Sequence, residues 1–307
     1  MLFSILIPAF KKRYLDIAIE SCLSQSFVDW EMIIVNDCSP EDLRSTIASY
    51  KDKRIVYYEN PENCGAVNVV DNWNKCLNSA AGDFVICMGD DDKMDANALS
   101  VYAKYIAKYP ACDVFHSPSV IIDEEGEELY ISARRPEYES ATSFLRHRLN
   151  GEEQFIGDFC FRRAALLAKG GFVKLPLAWG ADDLTALELA KEHGIVNLQE
   201  PVFFYRSSSL TISRSGNAEI KLVSLAKTQE YIDSFLDEKA VSHLENLEKA
   251  GAKRKVSSYF FLRKMFTVAE DISSKKLNLF KWAFRRRRYN IDALQLLLAI
   301  GVSFKKK

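Results

Sequence analysis

The residues Phe84-Val85-Ile86-Cys87-Met88-Gly89-Asp90-Asp91-Asp92 decide the fold class of this chain. Five consecutive apolar residues are typical of a strand that is buried on both faces of a parallel sheet. The three acids would then lie at the carboxyl end of that strand, where open α/β sheets bind their ligands. Because adjacent carboxylates repel each other, a divalent cation with oxygen ligands, Mg²⁺ or Mn²⁺, would stabilise them. The alternative is a solvated acidic turn that follows a core strand.

The residues before this stretch alternate between strand and helix patterns. Apolar runs predict strands, and apolar residues at helical spacing predict helices. The predicted strands are 3–9, 30–36 and 54–58, and the predicted helices are 14–26, 43–50 and 67–80. This alternation predicts an α/β fold with a mostly parallel sheet between layers of helices. The sequence lacks the glycine fingerprint of dinucleotide-binding sheets and the Walker loop.

A second acid, Asp37, directly follows the predicted strand 30–36. At that position a carboxylate can hydrogen-bond a nucleobase or a ribose hydroxyl. Because Asp37-Cys38-Ser39-Pro40 is also good turn sequence, a helix cap or an Asx turn is the alternative.

The second half of the chain is less regular. The predicted strands are 111–122, 129–132, 156–161 and 201–205, and a short predicted helix, 164–169, ends at Gly170-Gly171. The polar stretch 134–148 is expected to border an acceptor cleft. Asp182 and Asp183 open a further helix, where capping and the helix dipole would explain them without catalysis. Arg206 is expected to close over donor phosphates with the loop that follows it; a solvated loop arginine is the alternative.

Composition sets broad limits on function. The chain has 307 residues, 48% hydrophobic and 27% charged, which suits one large globular domain or a domain with an appendage. The formal net charge of −1 does not indicate any class of binding partner. Seven scattered cysteines without a CxxC pair predict neither a zinc site nor a disulfide framework, and fit a cytosolic protein. The sequence predicts no secretory signal and no membrane-spanning segment.

The last part of the chain has a different charge. From residue 252 onward the chain has fifteen basic and three acidic residues. This tail therefore has a formal net charge of +12, and residues 1–251 have a formal net charge of −13. Helical apolar patterns run from 218 onward, and the aromatic stretch 277–284 adjoins Arg285–Arg288. This combination predicts a helix lying on an anionic membrane surface. A helical cap packed on the rest of the protein is the alternative, and nucleic acid is disfavoured because no recognition motif is present.

Several elements, taken in order, resemble the nucleotide-sugar-binding half of family-2 glycosyltransferases of the GT-A fold. These elements are Pro8 closing the first strand, the IIVNDCS run at 33–39, the Asn63-x-Gly65 turn, Asn72-Trp73-Asn74, and the stretch 81–92 with its DxD-like acids. The resemblance covers about residues 3–210. It implies an inverting, metal-dependent transferase.

The resemblance also implies roles for individual residues. Asp91 and Asp92 match the metal-binding acids, with Asp91 the first choice for direct contact with Mn²⁺ or Mg²⁺, and Asp182 aligns with the catalytic base, with Asp183 as the second choice. Together with Arg206, the expected donor-binding residues are Pro8, Phe10, Asp37, Asn63, Gly65, Asn72 and Asp90.

The chain departs from the family pattern at three places. Gly89 takes the first position of the commoner Asp-x-Asp-Asp form, and Ala181 replaces the usual first acid of the catalytic pair. Phe10-Lys11 stands where Tyr-Asn is frequent, and Lys11 is a candidate to hold a phosphate.

The predicted function is therefore transfer of a sugar from a nucleotide-diphospho-sugar, by default a UDP-sugar, to a hydroxyl of a glycan or lipid-linked acceptor. The cation would neutralise the leaving diphosphate and an Asp would accept the hydroxyl proton. The predicted setting is bacterial surface polysaccharide synthesis in the cytoplasm, peripheral to the membrane. The predicted domains are 1–215, with a donor half (1–95) and an acceptor half (96–215), and a helical region, 216–307. A sugar-nucleotide-binding protein without catalysis and a nucleotidyltransferase are the alternatives.

Overall fold

A computed structural model describes residues 1–208, 217–240 and 242–305. The amino-terminal part alternates strands and helices as the sequence predicts. The elements are β1 (Phe3–Ala9), α1 (Leu15–Leu23), β2 (Trp30–Asn36), α2 (Leu43–Ser49), β3 (Ile55–Glu59), α3 (Val69–Ser79) and β4 (Phe84–Cys87). These strands pair in parallel in the order β3-β2-β1-β4. The carboxyl ends of β1, β2 and β4 therefore lie at one edge of the sheet.

The strand before the three acids is buried on both faces, as expected. Ile86 in β4 and Ile5 in β1 belong to a core cluster that includes side chains of α1. Val85 and Leu6, the alternate residues, belong to a second cluster that includes side chains of α3. Since successive side chains of a strand point to opposite faces, the sheet lies between two apolar layers.

The second half of the chain completes a mixed sheet. Its next elements are β5 (Lys93–Met94), α4 (Ala98–Lys108), β6 (Val114–His116), β7 (Ser119–Ile122), β8 (Glu128–Ile131), β9 (Tyr138–Glu139), α5 (Ala141–Leu149), β10 (Phe159–Arg162), α6 (Arg163–Ala168), α7 (Ala181–Leu189), β11 (Ile195–Asn197) and β12 (Phe203–Arg206). The eight-stranded sheet has the order β3-β2-β1-β4-β10-β6-β11-β9, in which β10 runs antiparallel to both neighbours. A smaller sheet has the order β5-β12-β7-β8.

Two predicted strands were wrong in extent. The segment 111–122 is not one strand, because β6 and β7 lie in different sheets. The break falls at Ser117-Pro118, where proline has no N–H to continue a ladder and Ser117 N donates to Asp158 O at 2.8 Å. The strand predicted at 156–161 begins only at Phe159, after a 3₁₀ turn over Ile156–Asp158.

The last part of the described chain is helical. It consists of α8 (Ala218–Asp237), α9 (His243–Ser274), α10 (Asn278–Arg285) and α11 (Ala293–Lys305). Buried side chains of α8 and α9 belong to the same apolar cluster as those of α3 and α7. These helices therefore pack on the sheet-containing part, as the helical-cap alternative required. Within the described residues, no helix combines the length and the apolar character that crossing a bilayer would need.

Candidate active site

Asp37 lies directly after β2 and is held by the loop that follows β3. Its Oδ1 accepts hydrogen bonds from Asn60 Nδ2 at 2.7 Å and from Cys64 N at 2.9 Å. Asn63 Nδ2 donates to the Asp37 carbonyl at 2.8 Å, and Asn60 Nδ2 also donates to Asn72 Oδ1 at 3.0 Å. The predicted donor residues Asp37, Asn63 and Asn72 thus meet in one polar network. Asn60, which sequence reasoning missed, is the residue that joins two of them.

The backbone around this network has unusual conformations. Cys38 has a φ of +51°, which is uncommon for a residue with a side chain. Gly65 has a φ of +76°, and its N–H donates to Asn63 Oδ1, so this turn requires glycine at that position. Backbone strain of this kind persists where surrounding contacts fix the chain, often at functional sites.

The three acids after β4 bind two other parts of the protein, the segment after β1 and the end of β12. Asp90 Oδ2 accepts from the backbone N–H groups of Phe10 at 2.7 Å and Lys11 at 2.6 Å, directly after β1. Lys11 Nζ lies 2.8 Å from Asp91 Oδ2 and 3.9 Å from Asp90 Oδ1. Asp92 Oδ1 accepts from the backbone N–H of Arg206 at 2.9 Å. The acids are therefore not a solvated turn.

Burial and mutual repulsion disfavour negative charge in this cluster. Asp90 and Asp92 are only 5% and 6% exposed. Burial, and then the charge of Asp91, raise the pKa of Asp90 to about 6, and the same two causes raise the pKa of Asp92 well above its usual range. Burial opposes the charged form of Lys11, but Asp90 and Asp91 raise its pKa. One ammonium thus balances three carboxylates incompletely, and a further cation would relieve the repulsion.

Two carboxylate oxygens converge over Gly89. A Cβ placed on Gly89 would lie 2.8 Å from Asp92 Oδ2 and 2.9 Å from Asp91 Oδ1. Oxygens of this type are the ligands that Mg²⁺ and Mn²⁺ prefer, so the residues fit a divalent cation. In the described ranges, no group of three or more His, Cys, Asp or Glu side chains is arranged to hold a metal ion. The glycine that departs from the family pattern leaves open the space that these oxygens face.

Arg206 is a buried link and not a solvated loop residue. It ends β12, and its side chain is 1% exposed. The guanidinium donates to the carbonyls of Asp91, Asp123 and Glu124 at 2.8, 2.9 and 3.1 Å, and it lies over the ring of Tyr14. The expected contact of Arg206 with donor phosphates stays a prediction, and residues 209–216 of the loop after it lie outside the described residues.

The second acidic site opens α7, where Asp183 is clamped. Its Oδ1 accepts from Arg148 Nε at 2.8 Å and from Gln154 Nε2 at 2.5 Å. Its backbone N–H donates to Asp182 Oδ1 at 2.9 Å. The side chain of Asp183 is thus fixed by two donors from other elements, whereas the Asp182 carboxylate accepts from the backbone N–H of the next residue in the first turn of the helix.

The carboxyl of Asp182 has a raised pKa. Burial, and then the negative charge of Asp183, raise the pKa of Asp182 to about 8, against the opposing charge of Arg148. An acid with a pKa near the working pH is suited to general-base catalysis. Burial and the neighbouring charge of Asp183 give Asp182 a carboxyl of this kind.

A layer of charged residues behind the pair fixes Gln154. Arg135 donates to Gln154 Oε1 at 3.0 Å, which directs the amide N–H₂ of Gln154 towards Asp183. Arg135 also pairs with Glu152 at 3.3 Å, and His147 Nδ1 lies 2.7 Å from Glu152 Oε1. Sequence reasoning found the polar stretch 134–148 but not the clamp, because neither Arg148 nor Gln154 belongs to a motif.

Direct contacts join the three acidic positions along one edge of the protein. Asp37 N donates to Ala9 O at 2.8 Å, and the next residue, Phe10, donates to Asp90. The end of β1 therefore bridges Asp37 and the acid cluster after β4.

A second bridge runs from the acid cluster to α7. The rings of Phe155 and Tyr205 stack with their centroids 3.6 Å apart. Each ring adjoins a site residue: Gln154, which binds Asp183, precedes Phe155, and Arg206, which binds Asp91 and Asp92, follows Tyr205.

Comparison with known proteins was made by sequence and by structure. The sequence model of the family described as Glycosyl transferase family 2 matches residues 4–169. WcaA of Escherichia coli K12, whose name refers to glycosyl transfer in colanic acid biosynthesis, is 39% identical over 104 residues, 33% of this chain and 36% of WcaA. The GalNAc(5)-diNAcBac-PP-undecaprenol beta-1,3-glucosyltransferase of Campylobacter jejuni is 26% identical over 309 residues, 97% of this chain and 92% of that protein.

The fold is shared with a solved structure. The crystal structure of Staphylococcus aureus TarS residues 1–349 in complex with UDP-GlcNAc superposes with a TM-score of 0.68 at 17% identity, covering 99% of this chain and 91% of that one. This likeness shows the GT-A type of fold. The chain spans 36% of WcaA and 59% of TuaG from Bacillus subtilis, so it matches only part of these relatives.

Proposed function

The chain belongs to glycosyltransferase family 2, and from this membership we propose that it transfers a sugar from a nucleotide-diphospho-sugar to a hydroxyl of a glycan or lipid-linked acceptor. The observation that carries the proposal is the placement of three acidic positions, at Asp37, at 90–92 and at 182–183, along one connected edge. The names of relatives from E. coli and C. jejuni, which refer to colanic acid biosynthesis and to an undecaprenol-linked sugar chain, support bacterial polysaccharide synthesis as the setting.

Asp37 and its neighbours form the proposed nucleoside site. The Asp37 carboxylate is oriented by amide and backbone donors, which carry no net charge, and it can accept hydrogen bonds from a base or a ribose. Pro8, Phe10 and Gly65 would border this site. A UDP-sugar is the proposed donor, supported by the UDP-GlcNAc bound in the TarS crystal structure and by the UDP-Glc in the name of E. coli WfgD.

The acid cluster is the proposed site for the diphosphate and its cation. Asp91 and Asp92 would hold Mn²⁺ or Mg²⁺ through the oxygens that converge over Gly89, with Asp90 directed towards the ribose. A bound cation of this type neutralises charge on a leaving diphosphate. Lys11, which lies beside Asp91, would provide a second positive charge near the phosphates.

Asp182 is the proposed general base. In its ionised form it would take the proton of the acceptor hydroxyl as that oxygen forms its bond to the anomeric carbon and the bond from this carbon to the diphosphate breaks. One base opposite one leaving group gives inversion at that carbon. Asp183, held by Arg148 and Gln154, would position Asp182 through its backbone N–H.

The test combines donor binding with turnover in the full chain. A panel of nucleotide sugars is screened by thermal shift with and without Mn²⁺, because a ligand of the native state raises the melting temperature. Nucleoside diphosphate release is then measured with acceptor extracts. We expect Asp182→Asn to keep the donor-dependent shift and to lose about 10²-fold or more in turnover, whereas Asp91→Asn loses the cation-dependent part of the shift.

Asp233→Asn, an exposed change on α8, is the matched control and should alter neither readout. Full turnover by Asp182→Asn would refute the assigned base. Absence of a shift with every nucleotide sugar would refute the donor site.

A further inference from the structure

Large exposed apolar side chains concentrate in the last two helices. Seven of them fall between residues 277 and 304: Leu277, Phe280, Phe284, Leu294, Leu297, Leu298 and Phe304. We refer to these seven as the docking face. Exposed apolar residues scattered singly are ordinary, but these lie within 28 residues on or beside two helices that contact each other, and grouped exposed apolar side chains mark a surface that contacts something else.

Helix α11 carries large apolar side chains on its outward face as well as where it packs on the protein. Its fully buried residues are small or polar, namely Gln295, Ala299 and Ser303, and the partly buried Leu296, Ile300 and Val302 also pack against the core. The residues on its outward face are large and apolar: Leu294, Leu297, Leu298 and Phe304, exposed by 43–66%. The helix contacts α9 through its inner face, where Gln295 Nε2 donates to Phe261 O at 3.0 Å. A helix on the surface of a globular protein normally turns its apolar stripe to the core. The outward face of α11 is therefore suited to an apolar environment.

Helix α10 presents a stripe that ends in positive charge. Phe280 and Phe284 are four residues apart and both exposed, so they lie on one side of the helix, and the exposed Arg287 follows in the 3₁₀ turn Arg286–Tyr289. The opposite side is fixed to the protein, because Trp282 is fully buried and its Nε1 donates to Asp271 Oδ2 at 2.8 Å. The stripe is thus held outward by a rigid inner contact.

The two helices form one surface. Lys276 lies just before α10, and its Nζ donates to Ser303 O at 2.7 Å and lies 4.4 Å from the centre of the Phe304 ring. The end of α11 therefore lies beside the start of α10, where Leu277 is exposed.

The positive charges of this region divide into two groups. Lys281 and Arg285 are paired, with Asp271 at 2.7 Å and with Glu219 at 2.7 Å respectively. Arg287 and Arg288 are exposed, and neither has a salt bridge within the part of the chain that the structure describes. Arg287 and Arg288 follow the exposed rings Phe280 and Phe284 closely in the chain. Apolar and positively charged side chains placed together complement a surface with an apolar interior and negatively charged groups on its outside.

We propose that the docking face binds the surface of a membrane that contains anionic lipids. Apolar side chains of α10 and α11 would enter the boundary between head groups and acyl chains, while Arg287 and Arg288 contact lipid phosphates. Binding would be peripheral. The proposal does not depend on the proposed transferase activity, because it rests on the surface alone and is tested without donor or acceptor.

The experiment measures co-sedimentation of the full chain with vesicles of phosphatidylcholine, with and without phosphatidylglycerol. We expect binding to the anionic vesicles that weakens as salt is raised. Phe284→Glu or Leu297→Glu should weaken binding about tenfold or more, because each removes a side chain whose burial is favourable. Changing Arg287 and Arg288 together to Gln should weaken it about thirtyfold, since each basic residue near an anionic surface contributes about 1 kcal/mol.

Val28→Glu is the matched control, because Val28 is 74% exposed in the turn between α1 and β2 and should bind as the unchanged chain does. Sedimentation velocity without vesicles is run on the same variants. Failure of the unchanged chain to bind anionic vesicles overturns the proposal. Equal binding by Phe284→Glu and Leu297→Glu also overturns it, as does a dimer that Leu297→Glu dissociates, which would mean that a second copy covers the face.

Discussion

Replacing Asp182 by Asn should stabilise the protein at alkaline pH while it abolishes transfer. The pKa of Asp182 is raised from 3.8 to about 8, because the folded protein buries the carboxyl beside Asp183. The folded state therefore holds a proton that the unfolded chain releases, and the stability that this proton provides is lost as pH rises from about 4 through 8. Asparagine is neutral throughout, so the variant escapes this loss.

The size of the effect follows from the pKa difference and from exposure. At about 1.36 kcal/mol per unit, a rise from 3.8 to about 8 sets an upper limit of about 6 kcal/mol. The side chain of Asp182 is partly exposed, so solvent screens part of its interaction with Asp183. We therefore expect a gain of about 1–3 kcal/mol above pH 8.

Urea unfolding at a series of pH values, without donor and with a chelator present, measures this gain. The difference between Asp182→Asn and the unchanged chain should be near zero at pH 4, grow up to pH 8 and stay constant above it. Asp233→Asn should show no such trend. A difference that does not change with pH would refute the raised pKa. A variant that is less stable at every pH would show that the hydrogen bond from Asp183 N–H to the Asp182 carboxylate outweighs the cost of burying that carboxylate.

Three further perturbations test the site. Gly89→Ala would place a methyl group against the two carboxylate oxygens that converge there, so it should weaken Mn²⁺-dependent donor binding about tenfold, by calorimetry, with little change in melting temperature. Lys11→Met removes the ammonium from the acid cluster and should lower the free energy of unfolding by about 1–3 kcal/mol, with partial recovery in Mn²⁺; an unchanged value would contradict the charge balance described above. Arg148→Met removes the charge that opposes the raised pKa of Asp182, so the alkaline rise of kcat/KM should move to higher pH, and activity at pH 7 should fall. A pH profile that is unchanged in Arg148→Met would remove Arg148 from the site.

The amino-terminal half could be predicted from sequence because its strands are uninterrupted apolar runs. β1 and β2 match their predicted bounds, and β4 ends one residue early. The second half was harder, because short strands divide between two sheets. The break at Ser117-Pro118 was visible as a proline, but its consequence depends on a bond to Asp158, far along the chain.

The site residues also divide into some that the sequence predicts and others that it does not. The acids stand out in the sequence because carboxylates directly after a buried strand, or at a helix start, are recognisable patterns. Their partners do not stand out, because Arg148 and Gln154 lie 35 and 29 residues before Asp183 and carry no motif. The sequence also did not predict the burial of Arg206. An arginine at the end of a strand is expected to be exposed, and only the position of β12 in the smaller sheet shows that it is buried.

The partners of the acids differ in a way that bears on function. The clusters at 90–92 and 182–183 each receive a basic side chain from a distant element, Lys11 and Arg148 respectively. Asp37 receives amide and backbone N–H donors instead. A carboxylate that binds neutral hydroxyl or base N–H groups needs orientation more than charge, whereas acids that meet a cation or accept a proton need a nearby positive charge to offset part of the cost of burial. These partners therefore match the proposed nucleoside site at Asp37, and the proposed cation binding and proton transfer at residues 90–92 and 182–183.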